Sequence, residues 1–258
     1  MEVLTSDKNP LLKQVRRASQ KGSLTDDGFA VAEGFHLLEE AIKSRAQIGA
    51  VIVAQSVKTA IESHVRGLKI RVLTVRDADF QALASTETPQ GVVALVKPPA
   101  WTLDELLRGK ALVAVLDGIQ DPGNAGAILR AAEAFGATGA AFLKGSVSPY
   151  NPKCMRASAG SIFRLPVAPA MDESLLMASL ASKRIALYAA MPRAELQISA
   201  ANFKRSCAIL IGSEGRGVRD ALSARAVALR IPTSNVESLN AAVAAGILFY
   251  EACRQRSA

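Results

Sequence analysis

Residues 111–143 read ALVAVLDGIQDPGNAGAILRAAEAFGATGAAFL. The opening ALVAVLD is apolar almost throughout and stops at a turn-prone GIQDPG. A helical pattern follows, with Ile128, Ala131, Ala132 and Phe135 on one side, and GAAFL resumes the apolar run. Strands without polar alternation belong to sheets covered on both faces, and a strand–helix–strand order predicts parallel pairing. Gly136 stands where a helix commonly ends in a left-handed residue. The segment therefore reads as one unit of a parallel α/β sheet.

The same alternation continues to the end of the chain. Strands are predicted at FRLPVA, RIALYAA, CAILIG and AVALRIP, and helices at NPKCMRASAG, DESLLMASLAS, VRDALSA and in a long last segment opening at Ser238. That last helix is expected to turn Leu239, Val243, Ile247 and Tyr250 toward a core. Its small residues Ala241, Ala242, Ala244, Ala245 and Gly246 suit close packing against another helix or subunit. Upstream, residues 9–96 form a shorter α/β alternation: helices at NPLLKQVRRASQ, EGFHLLEEAIKS, KTAIESHVRGL and DADFQALAS, strands at IGAVIVAQ, KIRVLTV and QGVVALV. KPPAWTLDELLRGK joins the two blocks, its prolines excluding a central strand or helix interior before a short amphipathic helix. The expected organisation is a first domain over 1–97, a linker over 98–110 and a second domain over 111–258.

Composition narrows the function classes. The 258 residues carry a net charge of +8, which favours a polyanionic partner, and Lys8, Lys13, Arg16, Arg17 and Lys21 crowd one N-terminal segment. No apolar run approaches the roughly 20 residues of a membrane span, and the N-terminus lacks the apolar core of a signal peptide. Three scattered cysteines and two histidines, without a CxxC pair, offer no metal site and fit a reducing cytoplasm. Neither GxGxxG nor GxxxxGK[ST] occurs, so dinucleotide and ATP-phosphate binding lose their usual warrant.

Ligands of open parallel sheets bind beyond the carboxyl ends of the strands, which directs the search to three loops. The first, 115–139, carries Gly118, Gly123, Gly126 and Asn124, with Arg130 off the buried stripe of its helix. Arg130 is either an ordinary surface residue or a phosphate partner that leans back toward the helix start. The second, ILIGSEGRGVRD at 209–220, sets three glycines around Ser213, Glu214 and Arg216, more than a tight turn requires. The third, 230–240, has Glu237, Ser238 and Asn240 at a helix start; Ser238 serves as an N-cap on the simpler view. Thr233 to Glu237 would lie beside the second loop if the strands ahead of them were neighbours.

In order, DPGNAGAILRAAEAFGA, LIGSEGRGV and IPTSNVESLNAAVAAGILFYE resemble the three motifs of the SpoU (TrmH-like) RNA 2′-O-ribose methyltransferases of the SPOUT superfamily. SPYNPKCMRASAGSIFRLPV resembles the stretch between the first two motifs. FAVAEGFHLLEEAI and TPQGVVALV are similar to the ribosomal-protein-like substrate-binding domain of many members. The resemblance implies an α/β fold: an N-terminal substrate-binding domain and a C-terminal parallel-sheet SPOUT domain with a trefoil knot. It implies S-adenosylmethionine as cofactor, RNA as partner, ribosomal before transfer RNA, and a homodimer. Asn124, Arg130, Glu214, Ser238 and Asn240 match the family's catalytic and site-building polar residues. Gly212, Ile231 and Leu239 match its cofactor-holding positions, with Ser213 and Gly215 beside them. Lys13, Arg16, Arg17, Lys153 and Arg156 are candidate RNA contacts. One departure stands in the third motif, where TSNV makes the loop before Ser238 slightly shorter than the glycine-containing turn common in the family. A catalytically silent RNA-binding relative and an ordinary nucleotide-binding enzyme are the rival readings.

Overall fold

The computed structural model describes residues 2–4 and 9–257; Lys8 lies outside them. In chain order the elements are β1 (Glu2–Val3), α1 (Pro10–Lys21), β2 (Ala30–Glu33), α2 (Phe35–Lys43), β3 (Gln47–Ala54), α3 (Lys58–Val65), β4 (Val72–Val75), α4 (Asp77–Gln81) and β5 (Val92–Lys97). Then come α5 (Leu103–Leu106), β6 (Leu112–Asp117), α6 (Pro122–Ala134), β7 (Gly139–Leu143), α7 (Pro152–Ser158), β8 (Val167–Met171) and α8 (Glu173–Ser182). The chain closes with β9 (Ala186–Ala190), β10 (Cys207–Gly212), α9 (Asp220–Ser223), β11 (Val227–Leu229) and α10 (Ala241–Ser257). Two compact units result: Met1–Ala100 with Tyr150–Arg164, and Trp101–Pro149 with Leu165–Ala258.

The first unit is a mixed sheet in the order β1-β4-β3-β5-β2, with β5 antiparallel to both of its neighbours β3 and β2, and β1, β4 and β3 parallel. α1 starts where expected: Asn9 Oδ1 accepts the Leu11 amide at 2.9 Å, Pro10 occupies the first turn and Gly22 ends the helix with positive φ. Leu12, Val15 and Ala18 are buried, which turns Lys13 and Arg17 outward. Residues 150–164, which the sequence reading counts with the second domain, cluster here. The reason is electrostatic: Arg156 reaches the buried Glu33 at 3.1 Å and Ser85 Oγ at 2.6 Å, and Arg164 reaches Glu40 at 2.5 Å.

The second unit is a six-stranded, all-parallel sheet in the order β11-β9-β10-β6-β7-β8. Both faces are covered. Val113, Val115, Ala141, Leu210 and Leu187 pack with Leu176 and Leu180 of α8, while Ala114, Leu116, Ile209 and Ile211 are also buried. α10 packs on α6 and β10. The second half of the expected linker belongs to this core. Thr102 and Glu105 close a capping box around α5, and Leu106 sits so tightly on Gly139 that an added Cβ there would meet its Cγ at 2.6 Å.

Two expectations for α10 are overturned. The helix opens at Ala241, not Ser238: Asn240 Oδ1 accepts the amides of Ala242 at 2.9 Å and Val243 at 3.2 Å, so Asn240 is the cap. Val243, Ile247 and Tyr250 do not face the core but are 51 %, 36 % and 56 % exposed. The buried side is Ala241, Ala245, Leu248, Phe249 and Ala252, because close approach to α6 requires small residues along the seam. The far end of α10 is stapled by Arg256, whose guanidinium donates to the carbonyls of Phe203, Lys110, Ala111 and Arg205 at 2.8–2.9 Å. Arg256→Ala leaves those carbonyls short of a donor and is expected to lower stability by about 2–3 kcal/mol. Arg256→Lys recovers only part, since one ammonium cannot match that fork. Guanidinium unfolding midpoints check this; an unchanged midpoint in Arg256→Ala would refute the staple.

Candidate active site

The register of the second sheet assembles the site. Asp117, last residue of β6, lies directly opposite Gly212, last of β10, so the loops after both strands emerge side by side. Asp117 is buried and matched: the Arg219 amide and Nε donate to it at 2.9 and 2.6 Å, and Arg219 also pairs with Glu173 at 3.2 Å. This clamp returns the 213–218 turn to the end of β6. Within the turn, Ser213 and Gly217 exchange backbone hydrogen bonds at 3.2 and 2.8 Å. A Cβ on Gly212 would run into the backbone of Gly217 and Val218, so that position must be bare for the turn to fold back at all.

Asp121 starts α6 by accepting the Asn124 amide at 2.8 Å, with Pro122 in the first turn. Asn124 is thereby presented at the helix start and donates to Glu214 Oε1 at 3.0 Å. Asn240 Nδ2 donates to the same oxygen at 2.6 Å and to Asn124 Oδ1 at 3.1 Å, and the Ala241 amide reaches that Glu214 oxygen at 3.4 Å. Three segments far apart in sequence meet on one carboxylate.

Two clefts flank this cluster. The first is a cavity of about 130 Å³ with a wide mouth, with Ala190, Met191, Leu229, Ile231 and Leu239 as an apolar lining. Gly212, Ser213, Thr233, Glu237 and Ser238 are its polar edge. The strands ahead of the second and third loops are not neighbours, since β9 lies between β10 and β11, yet both loops border this cleft over its end. The second cleft is larger, about 780 Å³, and is the polar one by its side chains, with Asp117, Asn124, Lys144, Arg216 and Arg219 in its lining. Glu214, Ser213, Gly217 and Ala241 belong to both linings and form the wall between them. At the rim of the second, Lys144 pairs with Asp172 at 2.9 Å; that hydrogen bond, with the amides of Leu175 and Ser174, holds the Asp172 carboxyl below its ordinary range.

The expected residues sort accordingly. Gly212, Ser213, Ile231, Ser238 and Leu239 line the first cleft, Gly215 only the second, and Asn124, Glu214 and Asn240 form the hydrogen-bonded cluster. Arg130 stands apart. It is exposed on α6, lines neither cleft and makes no hydrogen bond or ion pair among the described residues, so the expected reach back to the Asn124 turn does not occur. Of the candidate RNA contacts, Lys13 and Lys153 are exposed, whereas Arg16 donates to the Ala82 carbonyl at 3.2 Å, Arg17 pairs with Asp26 and Arg156 with Glu33. Sequence reading gave no role to Lys144 or Arg219; both follow strand or turn ends, and only the fold shows that they share a cleft.

Known proteins of this shape carry a consistent label. The family model described as SpoU rRNA Methylase family matches residues 111–250, and the MRM3-like substrate binding domain matches residues 9–94. An uncharacterized tRNA/rRNA methyltransferase of Synechocystis is 33% identical, covering 98% of this chain and 94% of its own. The 23S rRNA (guanosine(2553)-2′-O)-methyltransferase RlmP of Bacillus subtilis is also 33% identical, covering 97% and 98%. Among solved structures, the SpoU methyltransferase AviRb of Streptomyces viridochromogenes in complex with AdoMet superposes with a TM-score of 0.86 at 26% identity, covering 97% of this chain and 99% of that one. With its motif residues gathered at the ends of β6, β10 and β11, the chain belongs to the SpoU rRNA methylase family.

Proposed function

We propose that the chain transfers a methyl group from S-adenosylmethionine to a ribose 2′-hydroxyl of large-subunit ribosomal RNA, as a homodimer in the cytoplasm. The observation that carries this reading is the pair of clefts, one apolar and one polar, divided by a single hydrogen-bonded carboxylate. The apolar cleft fits the donor. Its lining is largely apolar with a few polar groups, and Gly212, Ile231 and Leu239 along its wall bring backbone close to where a nucleoside and an amino-acid moiety would lie. S-adenosylmethionine, when bound, supplies a methyl already activated on a sulfonium.

What remains for the protein is alignment, which supplies up to roughly 7–11 kcal/mol of a barrier in ideal cases. Asn124, Glu214 and Asn240 hold the dividing wall, so they fix the approach of a hydroxyl in the polar cleft to a donor in the other. Glu214 acts as a positioning residue, its Oε1 taking three donors. The Bacillus relative's name supports a 23S target; the MRM3-like match supports RNA contact by the first unit. The family's knot is extended to this chain on the strength of the sheet order. For the cytoplasm, the support is the RNA substrate itself.

The dimer reading rests on the outward stripe of α10. Val243, Ile247 and Tyr250 follow one another at helical spacing, and Tyr250 meets Phe135 edge-on at 5.7 Å, extending the apolar surface onto the end of α6. Arg130, exposed and outside both clefts of its own chain, then serves the reaction from the opposite copy. Its guanidinium stays charged and is suited to gripping a phosphate rather than removing a proton.

Tritium transfer from labelled S-adenosylmethionine to a 23S transcript, with a transfer RNA pool as the competing substrate, tests the activity; label in transfer RNA alone would redirect the target. Glu214→Ala is expected to lower turnover about 10²-fold, the scale of a misaligned reactant; turnover at the wild-type level would remove the wall from the mechanism. Ile247→Glu should shift sedimentation from dimer to monomer. Mixing inactive Arg130→Ala with inactive Glu214→Ala should restore about a quarter of wild-type activity through mixed twofold dimers; no recovery would defeat the trans role of Arg130.

A further inference from the structure

We propose that the polar cleft is a phosphodiester subsite in which Arg216 and Lys144 grip the backbone of the acceptor RNA next to the methylated ribose; this rests on the reading of the chain as an RNA methyltransferase. The cleft holds three cationic side chains of unequal freedom. Arg219 is committed to Asp117 and Glu173. Lys144 shares Asp172 but is two-thirds exposed. Arg216 sits at the tip of the 213–217 turn, exposed, and its guanidinium has no hydrogen bond or ion pair among the described residues. The carboxylates of the lining are already engaged: Asp117 by Arg219, Asp121 by the Asn124 amide, Glu214 by Asn124 and Asn240. The formal charges of the lining balance, but the carboxylates have their oxygens occupied by donors while the Arg216 guanidinium is unpartnered, opposite the start of the 13-residue helix α6, whose first amides add positive potential.

A second observation is steric. Gly217 has φ +68° and so has a conformational reason to be glycine, but Gly215 has none: its φ is not positive, and an added Cβ would meet nothing within 4 Å. The fold does not demand a bare residue there. A polymer passing close to the turn does. Ser213 Oγ accepts the Arg216 amide at 3.3 Å, which fixes where the arginine leaves the turn. Arginine's planar fork suits phosphate oxygens, and a lysine across the cleft adds a point charge.

The experiment uses the full chain and an unmethylated 23S transcript. Arg216→Ala and Lys144→Ala should each raise KM for the transcript about 5–10-fold, while the S-adenosylmethionine Kd by calorimetry stays within about twofold; each lost contact should flatten the dependence of log KM on log salt by about one. Arg216→Lys should recover the salt slope but only part of KM. Gly215→Val should raise KM with unfolding unchanged. Lys204→Ala, exposed and outside the cleft lining, is the control. An Arg216→Ala/Lys144→Ala double variant with wild-type KM and slope would overturn the proposal, as would a parallel loss of S-adenosylmethionine binding. If the wild-type protein transfers no methyl to the transcript, the enzymatic reading fails. Filter retention of the same transcript then decides the subsite, weaker and less salt-dependent in the double variant if it exists, unchanged if it does not.

Discussion

Glu214 Oε1 accepts from Asn124, Asn240 and the Ala241 amide, and those donors sit on a helix start, a loop end and another helix start. Hydrogen bonds to a charged acceptor are stronger than neutral ones, and here they tie together loops that loop-closure entropy would otherwise keep apart. The arrangement works only because the strands beneath are level. β6 and β10 end in register at Asp117 and Gly212, and the Arg219–Asp117 clamp folds the intervening turn back over that edge. A sheet edge, a turn and two helix caps therefore converge on one oxygen, and both clefts are defined by what lies on either side of it.

The distance between the two helix starts is set elsewhere, in the packing of α10 on α6. Ala241, Ala245 and Ala252 on one helix and Ala125, Gly126 and Ala132 on the other are buried. Small residues let helix backbones approach closely, and interiors packed at crystal density do not yield to extra methylenes without shifting something. A larger side chain at Ala245, Gly126 or Ala132 in that seam would move Asn240 away from Asn124 without touching either cleft. Core packing here is thus part of the geometry of the site, and Arg256 at the other end of α10 anchors the same helix to the sheet.

Much of the fold was legible because its signals are local. Apolar runs bounded by turn residues mark the strands of the parallel sheet except β8, which starts at Val167 near the end of the expected FRLPVA, and Pro10, Pro122 and Pro152 each stand in a first helical turn. The motif polar residues were legible as well, though only the structure shows that three of them share a carboxylate. What was misread is non-local. In α10 nearly every residue is small or apolar, so periodicity could not tell which side faces in; the partner helix decided, and it required alanine rather than Val243, Ile247 and Tyr250. Ser238 and Asn240 are both competent caps by type, and the choice between them followed from the pull of Glu214. The grouping of residues 150–164 with the first unit depends on Arg156 finding Glu33, a pairing between residues 123 positions apart.

Net charge, too, turns out to be a poor map of where a polyanion binds. Among the +8 excess, many arginines are spent on the protein itself: Arg156 on Glu33, Arg164 on Glu40, Arg219 on Asp117, Arg256 on four carbonyls. An arginine so engaged has its donors occupied, and freeing it for a phosphate would leave a buried acid or carbonyl unmatched. The cations free to meet RNA are therefore those with exposed heads and weak or no partners, such as Lys13 and Arg130, together with Arg216 and Lys144 at the polar cleft. Basic composition steers the chain toward nucleic acid over long range, but on the proposed function the exposed cations beside Glu214, Arg216 unpartnered and Lys144 shared with Asp172, are the ones that position the RNA.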